Sequence, residues 1–128
     1  MVIQSGIPAH IWGWSEPART VHVAAGSFHA SALCQESGAW SVDIGPFVAG
    51  QVFEISVEDG VDRILITNVA AGDVWLCSGQ SNMEWSLRQS NGGPELARSV
   101  KNDKLRLFTV QKKPSDKPEK EIGRASCR

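Results

Sequence analysis

Asp73-Val74-Trp75-Leu76-Cys77-Ser78-Gly79-Gln80-Ser81-Asn82-Met83-Glu84-Trp85 is the stretch where the chain changes character. Asp73 to Cys77 is a short, nearly all-apolar run, as in a strand covered on both faces in a parallel α/β sheet. Small and polar residues follow it directly, which makes a strand-to-turn site. This reading predicts a strand ending near Cys77 or Ser78, with Leu76 buried and the Ser81 hydroxyl at least partly exposed at the carboxyl end of the sheet, where open α/β folds hold their ligands. Gly79 allows a tight backbone there, and a neighbouring amide can point at a developing oxyanion, so the segment suits acyl transfer. A serine after a strand is by itself ordinary turn chemistry, because its hydroxyl satisfies local backbone groups.

Upstream the texture is that of short strands separated by turns. Thr20 to Ala24 and Trp40 to Ile44 alternate between apolar and polar residues, and Val52 to Glu58 is rich in β-branched and aromatic types. Asp59-Gly60 between that run and Ile64-Leu65-Ile66-Thr67 is a hairpin signal. Val2 to Val69 is therefore predicted to form an antiparallel β-sandwich, with no helix of three or more turns between Val21 and Thr67. Downstream, Pro94 to Val100 predicts a short helix with proline in its first turn, Leu105 to Val110 a strand, and Lys112 to Lys120 an exposed loop. The second part offers too few strands and helices to complete a parallel sheet. The expected organisation is a β-sandwich domain over residues 1–69, then the truncated start of an α/β domain over residues 70–122. Residues 123–128 continue no pattern and are open to reading as native chain or as a non-native tail.

With 128 residues and 41% hydrophobic content the chain is in the range of a globular domain, and its formal net charge of -1 supplies no basic field. Neither nucleic acid nor a membrane surface is an expected partner. No apolar run approaches the roughly 18 to 20 residues of a bilayer span, and the first residues lack the order of a signal peptide. Cys34, Cys77 and Cys127 fit neither a disulfide framework nor a metal knuckle, and the spacing of His22, His29 and Cys34 matches no zinc pattern. Cys77, at the end of an apolar run, reads as a small buried hydrophobe. No metal or organic cofactor is expected.

The string Trp75 to Met83, Trp-Leu-Cys-Ser-Gly-Gln-Ser-Asn-Met preceded by Gly72-Asp73-Val74, closely resembles the nucleophile block of the sialate O-acetylesterase family, a branch of the SGNH hydrolases. Met1-Val2-Ile3-Gln4, Ile11-Trp12-Gly13-Trp14, Gly38-Ala39-Trp40-Ser41-Val42 and Leu105-Arg106-Leu107-Phe108 resemble segments of that family in the same order. The resemblance covers nearly all of residues 1 to about 122. It implies a β-sandwich in front of an SGNH hydrolase-like α/β domain, in agreement with the change of texture near Val69. It also implies that Ser81 is the nucleophile, with its own backbone amide in the oxyanion hole and with Gly79, Gln80 and Asn82 supporting that turn. The implied substrate is an O-acetylated sugar such as sialic acid, and the implied location of the parent protein is periplasmic, secreted or lysosomal.

The family's activating base lies in an Asp-x-x-His motif far downstream, whereas His10, His22 and His29 all precede the first aspartate, Asp43. The chain alone is therefore expected to hydrolyse acetyl esters only at trace levels. Glu84 reads as shaping the turn, since serine activation normally runs through an imidazole. Trp12, Trp14, Trp40, Trp75 and Trp85 are expected chiefly in the core or at an interface between domains, with Trp85 the best candidate for stacking on a sugar. The rival reading is a non-catalytic β-sandwich module that binds carbohydrate or another domain. Oligomeric state is left open.

Overall fold

A strand whose residues alternate between apolar and polar can bury one face and leave the other in water, and this pattern organises the first part of the chain. A computed structural model describes residues 1–110 and Asp116, in two units, Met1–Leu76 and Cys77–Arg128. The first unit is mostly strand: β1 (Val2–Gln4), β2 (Ala9–Trp14), β3 (Thr20–Ala25), β4 (Phe28–Leu33), β5 (Ala39–Ile44), β6 (Val52–Glu58) and β7 (Arg63–Gly72). Along β3, Val21, Val23 and Ala25 are buried while Thr20 and His22 are exposed. Along β5, Trp40, Val42 and Ile44 are buried while Ser41 and Asp43 are exposed. As expected, no helix lies between Val21 and Thr67.

One sheet has the order β1-β7-β6-β3-β4, and β2 pairs with β5 in a separate ribbon. The two feed a single apolar cluster of Val21, Val23, Ala25, Ile55, Val69 and Ala71 from the sheet and Trp40, Val42 and Ile44 from β5. Cys34, just past β4, and Phe47, just past β5, also belong to it, Phe47 stacked on Phe53 at 4.3 Å and edge-on to Phe28 at 5.1 Å. The pairings β2·β5, β3·β4, β3·β6 and β6·β7 are antiparallel. The expectation of an antiparallel unit fails at one edge, where β1 lies parallel to β7 with Val2 opposite Ala70. A tight turn forces its two strands to run antiparallel, but β1 and β7 are separated by the rest of the unit, so no turn fixes their relative direction.

The Asp59-Gly60 signal sits, as read, between β6 and β7, and Gly60 takes the positive φ of 89° that the turn requires. Asp59 does more than turn the chain. Its Oδ1 accepts the amides of Val61 at 3.0 Å and Asp62 at 2.8 Å. Its Oδ2 accepts the Ser15 hydroxyl and Arg19 Nη1, the latter at 3.1 Å, which ties the hairpin to the connection between β2 and β3. The Ser15 hydroxyl, then the Asp62 and Val61 amides, and finally Arg19 hold the Asp59 carboxyl well below the usual carboxylate range, while partial burial opposes them. Beyond a bulge opposite Phe53 and Ile55, where Asn68 has φ 55°, β7 runs past Val69 to Gly72.

In the second unit the expected helix is present as α1 (Gly93–Ser99), with Pro94 at its start, Glu95 in the first turn and Arg98 in the last. Two strand expectations are overturned. Leu105 to Val110 carries only an isolated bridge at Phe108. Asp73 to Cys77 forms no strand, and Leu76, expected to be buried, is 91% exposed. Cys77, read as a buried hydrophobe, is exposed as well. A strand of a parallel sheet exists through its neighbours, and among the described residues none pairs with this segment; its Val74 amide bonds instead to Gln4 Oε1 at 2.9 Å. Apart from Asp116, the predicted loop from Lys112 to Lys120 lies outside the described residues, as do residues 121–128.

Candidate active site

Ser81 is the first residue of a single 3-10 turn, Ser81–Glu84, preceded by residues 73–79, which are in neither helix nor strand. The turn is closed locally: the Met83 amide donates to the Gln80 carbonyl at 2.9 Å, and the Trp85 amide to that of Asn82 at 3.4 Å. Gly79 serves it by lacking a side chain, since a Cβ there would stand 2.8 Å from Met83 Cγ. A following turn, Leu87–Gln89, is fixed by a capping box in which Gln89 Oε1 accepts both the amide and the hydroxyl of Ser86, at 3.0 and 2.9 Å. Gly93 brings α1 hard against that turn, because a Cβ on Gly93 would overlap the Leu87 carbonyl oxygen.

Gly79, Gln80, Ser81, Asn82 and Trp85 are thus brought together on one short exposed segment. No hydrogen bond engages the Ser81 hydroxyl among the described residues, so it is open to solvent and to an electrophile. A neutral hydroxyl is a weak nucleophile until a base takes its proton. The second unit contains no histidine, and His10, His22 and His29 lie on β2, β3 and β4 of the first unit in the pairings β2·β5 and β3·β4. His10 Nδ1 is 2.8 Å from Asp43 Oδ1, an exposed cross-strand pair. No group of three or more His, Cys, Asp or Glu side chains among the described residues is placed to hold a metal ion.

Sequence reasoning missed two features. The His10–Asp43 pair depends on the register of β2 against β5, and no short-range signal announces which residues of two separated strands stand opposite. The tryptophans also part company: Trp40 is in the core as expected, but Trp12 and Trp14, on alternate positions of β2, are exposed and in edge-to-face contact at 5.2 Å. The alternation of Ile11 and Gly13 with these two rings carried that signal.

No protein-family model matches the chain. Among curated proteins, it is 32% identical over 113 residues to sialate O-acetylesterase of Mus musculus, covering 80% of this chain and 21% of that protein. The Homo sapiens sialate O-acetylesterase gives 32% over 113 residues, covering 80% and 22%. The chain thus spans about a fifth of the length of these relatives. Among solved structures, a carbohydrate acetylesterase from Xanthomonas citri superposes with a TM-score of 0.93 at 31% identity, over 99% of this chain and 29% of that one.

Proposed function

Because the chain belongs to the sialate O-acetylesterase family, we propose that the protein it represents is a carbohydrate O-acetylesterase working through an acyl-enzyme on Ser81. The observation that carries this reading is the exposed Ser81 hydroxyl, without a hydrogen bond among the described residues, at the head of a tight turn inside an intact Gly-Gln-Ser-Asn string. Ser81 Oγ attacks the acetyl carbonyl carbon and gives up its proton to a base. The resulting oxyanion is held by backbone amides, that of Ser81 included. Collapse of the intermediate breaks the bond to the sugar oxygen, which takes a proton as it leaves. Water then hydrolyses acetyl-Ser81 to acetate and restores the hydroxyl.

Gly79, Gln80 and Asn82 shape the turn that presents the amide and hydroxyl together, and Trp85 offers a ring face beside the reacting ester. The imidazole base comes from outside residues 77–128, which contain no histidine. In this reading the β unit is the β-sandwich domain of the enzyme, the Ser81 segment begins an SGNH hydrolase-like α/β domain, and the enzyme works outside the cytoplasm.

Turnover of an aryl acetate by the full-length parent protein, beside its Ser81→Ala variant, tests the reading. Ser81→Ala should lower kcat at least about a thousandfold and abolish the acetyl adduct seen by intact-mass analysis, while the 128-residue chain alone should turn over only at trace rates. Retention of activity in Ser81→Ala would remove Ser81 from the mechanism.

A further inference from the structure

The hydrolysis proposed for Ser81 leaves two exposed tryptophans of the first unit without a task. On β2 the residues facing away from the core are His10, Trp12 and Trp14, and the residues opposite them on β5 are Asp43, Ser41 and Ala39. Trp12 and Trp14 are 55% and 61% exposed, with ring planes at 89°. Same-face neighbours on a strand are about 7 Å apart, so His10, Trp12 and Trp14 form a ledge about 14 Å long. The ledge is rigidly seated. Gly13 lies directly over the buried Trp40 indole, where a Cβ would come within 3.0 Å of Cζ2, and a strand so held loses little freedom when it binds a ligand.

Single exposed apolar residues are ordinary, but two adjacent indoles in water mark a contact surface. The polar groups beside them identify the ligand. Charged residues are depleted from the centre of protein–protein interfaces, whereas here the exposed His10–Asp43 pair, at 2.8 Å, shares the face with the rings. Flat apolar faces beside an acceptor and a ring N–H are what a sugar needs, since a pyranose has an apolar C–H face and a rim of hydroxyls. The Asp43 carboxylate would repel an anionic sugar and suits an uncharged one.

We propose that the outer face of the β2–β5 ribbon binds neutral pyranose rings of a glycan, with Trp12 and Trp14 stacking on the C–H faces and Asp43 and His10 bonding the hydroxyls. This binding does not depend on Ser81. Affinity gel electrophoresis of the chain in neutral arabinoxylan, in neutral hydroxyethyl cellulose and in anionic polysialic acid tests it. The chain should be retarded by at least one of the neutral polymers and not by polysialic acid, and Ser81→Ala should be retarded equally. Trp12→Ala and Trp14→Ala should each weaken the retardation about tenfold or more, with thermal melts unchanged. If Trp12→Ala unfolds the ribbon, Trp12→Tyr, which keeps a stacking face, decides: a folded variant without retardation overturns the proposal. So do retardation by polysialic acid alone, equal retardation of the alanine variants and the wild-type chain, and no retardation in either neutral polymer. Self-association that is lost in Trp14→Ala, without retardation by the neutral polymers, would assign the face to a second copy of the chain instead.

Discussion

Replacing Ile55 by alanine probes whether the core lies where β6 puts it. Ile55 is 2% exposed, sits on a strand flanked by β3 and β7, and has Ala25 and Ile66 as its cross-strand partners. The substitution deletes three carbons, worth about 0.8 kcal/mol each in transfer, or roughly 2.4 kcal/mol. A cavity term adds to this because strands on both sides prevent collapse, giving about 3 kcal/mol, inside the range of about 2–5 kcal/mol for such truncations. In a domain of this size each kcal/mol moves the melting midpoint by about 4–8 °C, so Tm should fall by roughly 12–24 °C. Leu33→Ala, at a position 66% exposed at the end of the outermost strand β4, should cost under about 1 kcal/mol. Thermal melts of the two variants by circular dichroism give the comparison. Equal losses from Ile55→Ala and Leu33→Ala would refute the placement of the core.

Gly38→Ala should destabilise more than Gly50→Ala: both have positive φ, but a Cβ on Gly38 would come within 2.5 Å of the Ser15 carbonyl oxygen, whereas one on Gly50 meets open space; urea midpoints of the two variants check the order. Asp59 predicts a pH dependence. Its folded pKa lies below the ordinary value, so its contribution is fully present above about pH 4 and is lost as pH falls through that value toward the depressed one. Melts from pH 7 to 2 should therefore show falling stability at the acid end, with a shallower fall in Asp59→Asn. Ser81→Ala should leave the melt of the chain within about 0.5 kcal/mol of wild type, because the residue is exposed and its hydroxyl makes no bond among the described residues.

The parts of this fold that were legible in the sequence are those whose cause is local. Val52 to Glu58 matches β6 residue for residue, Thr20 to Ala24 and Trp40 to Ile44 fall one residue short of β3 and β5, and Pro94 to Val100 is offset by one residue from α1. In each case the pattern, the turn residue or the helix end acts within a few residues. The features that escaped are set by contacts between distant segments. Phe47 lies outside any strand, yet it is 2% exposed because Phe28 and Phe53 close around it. The parallel pairing of β1 with β7 and the Ser15–Asp59–Arg19 cluster likewise join positions about 40 or more residues apart.

The Asp73 to Cys77 segment and the turn after it show the same division inside one motif. An apolar run reads as a buried strand only if other strands and helices arrive to pair with it and cover it; without them among the described residues, the run forms no strand and its Leu76 is exposed. The Ser81 turn needs no such company. The bonds that close it run from Met83 to Gln80 and from Trp85 to Asn82, and Gly79 makes room for Met83 within the same few residues. The geometry that presents a serine hydroxyl and its amide is therefore written locally, and it forms where no strand among the described residues pairs with the preceding run. What makes such a hydroxyl reactive is not local: a base must be held within hydrogen-bond reach of Oγ, and further oxyanion donors must come from other segments. A turn can thus present a serine hydroxyl while leaving any activation of it to residues that no reading of the turn can supply.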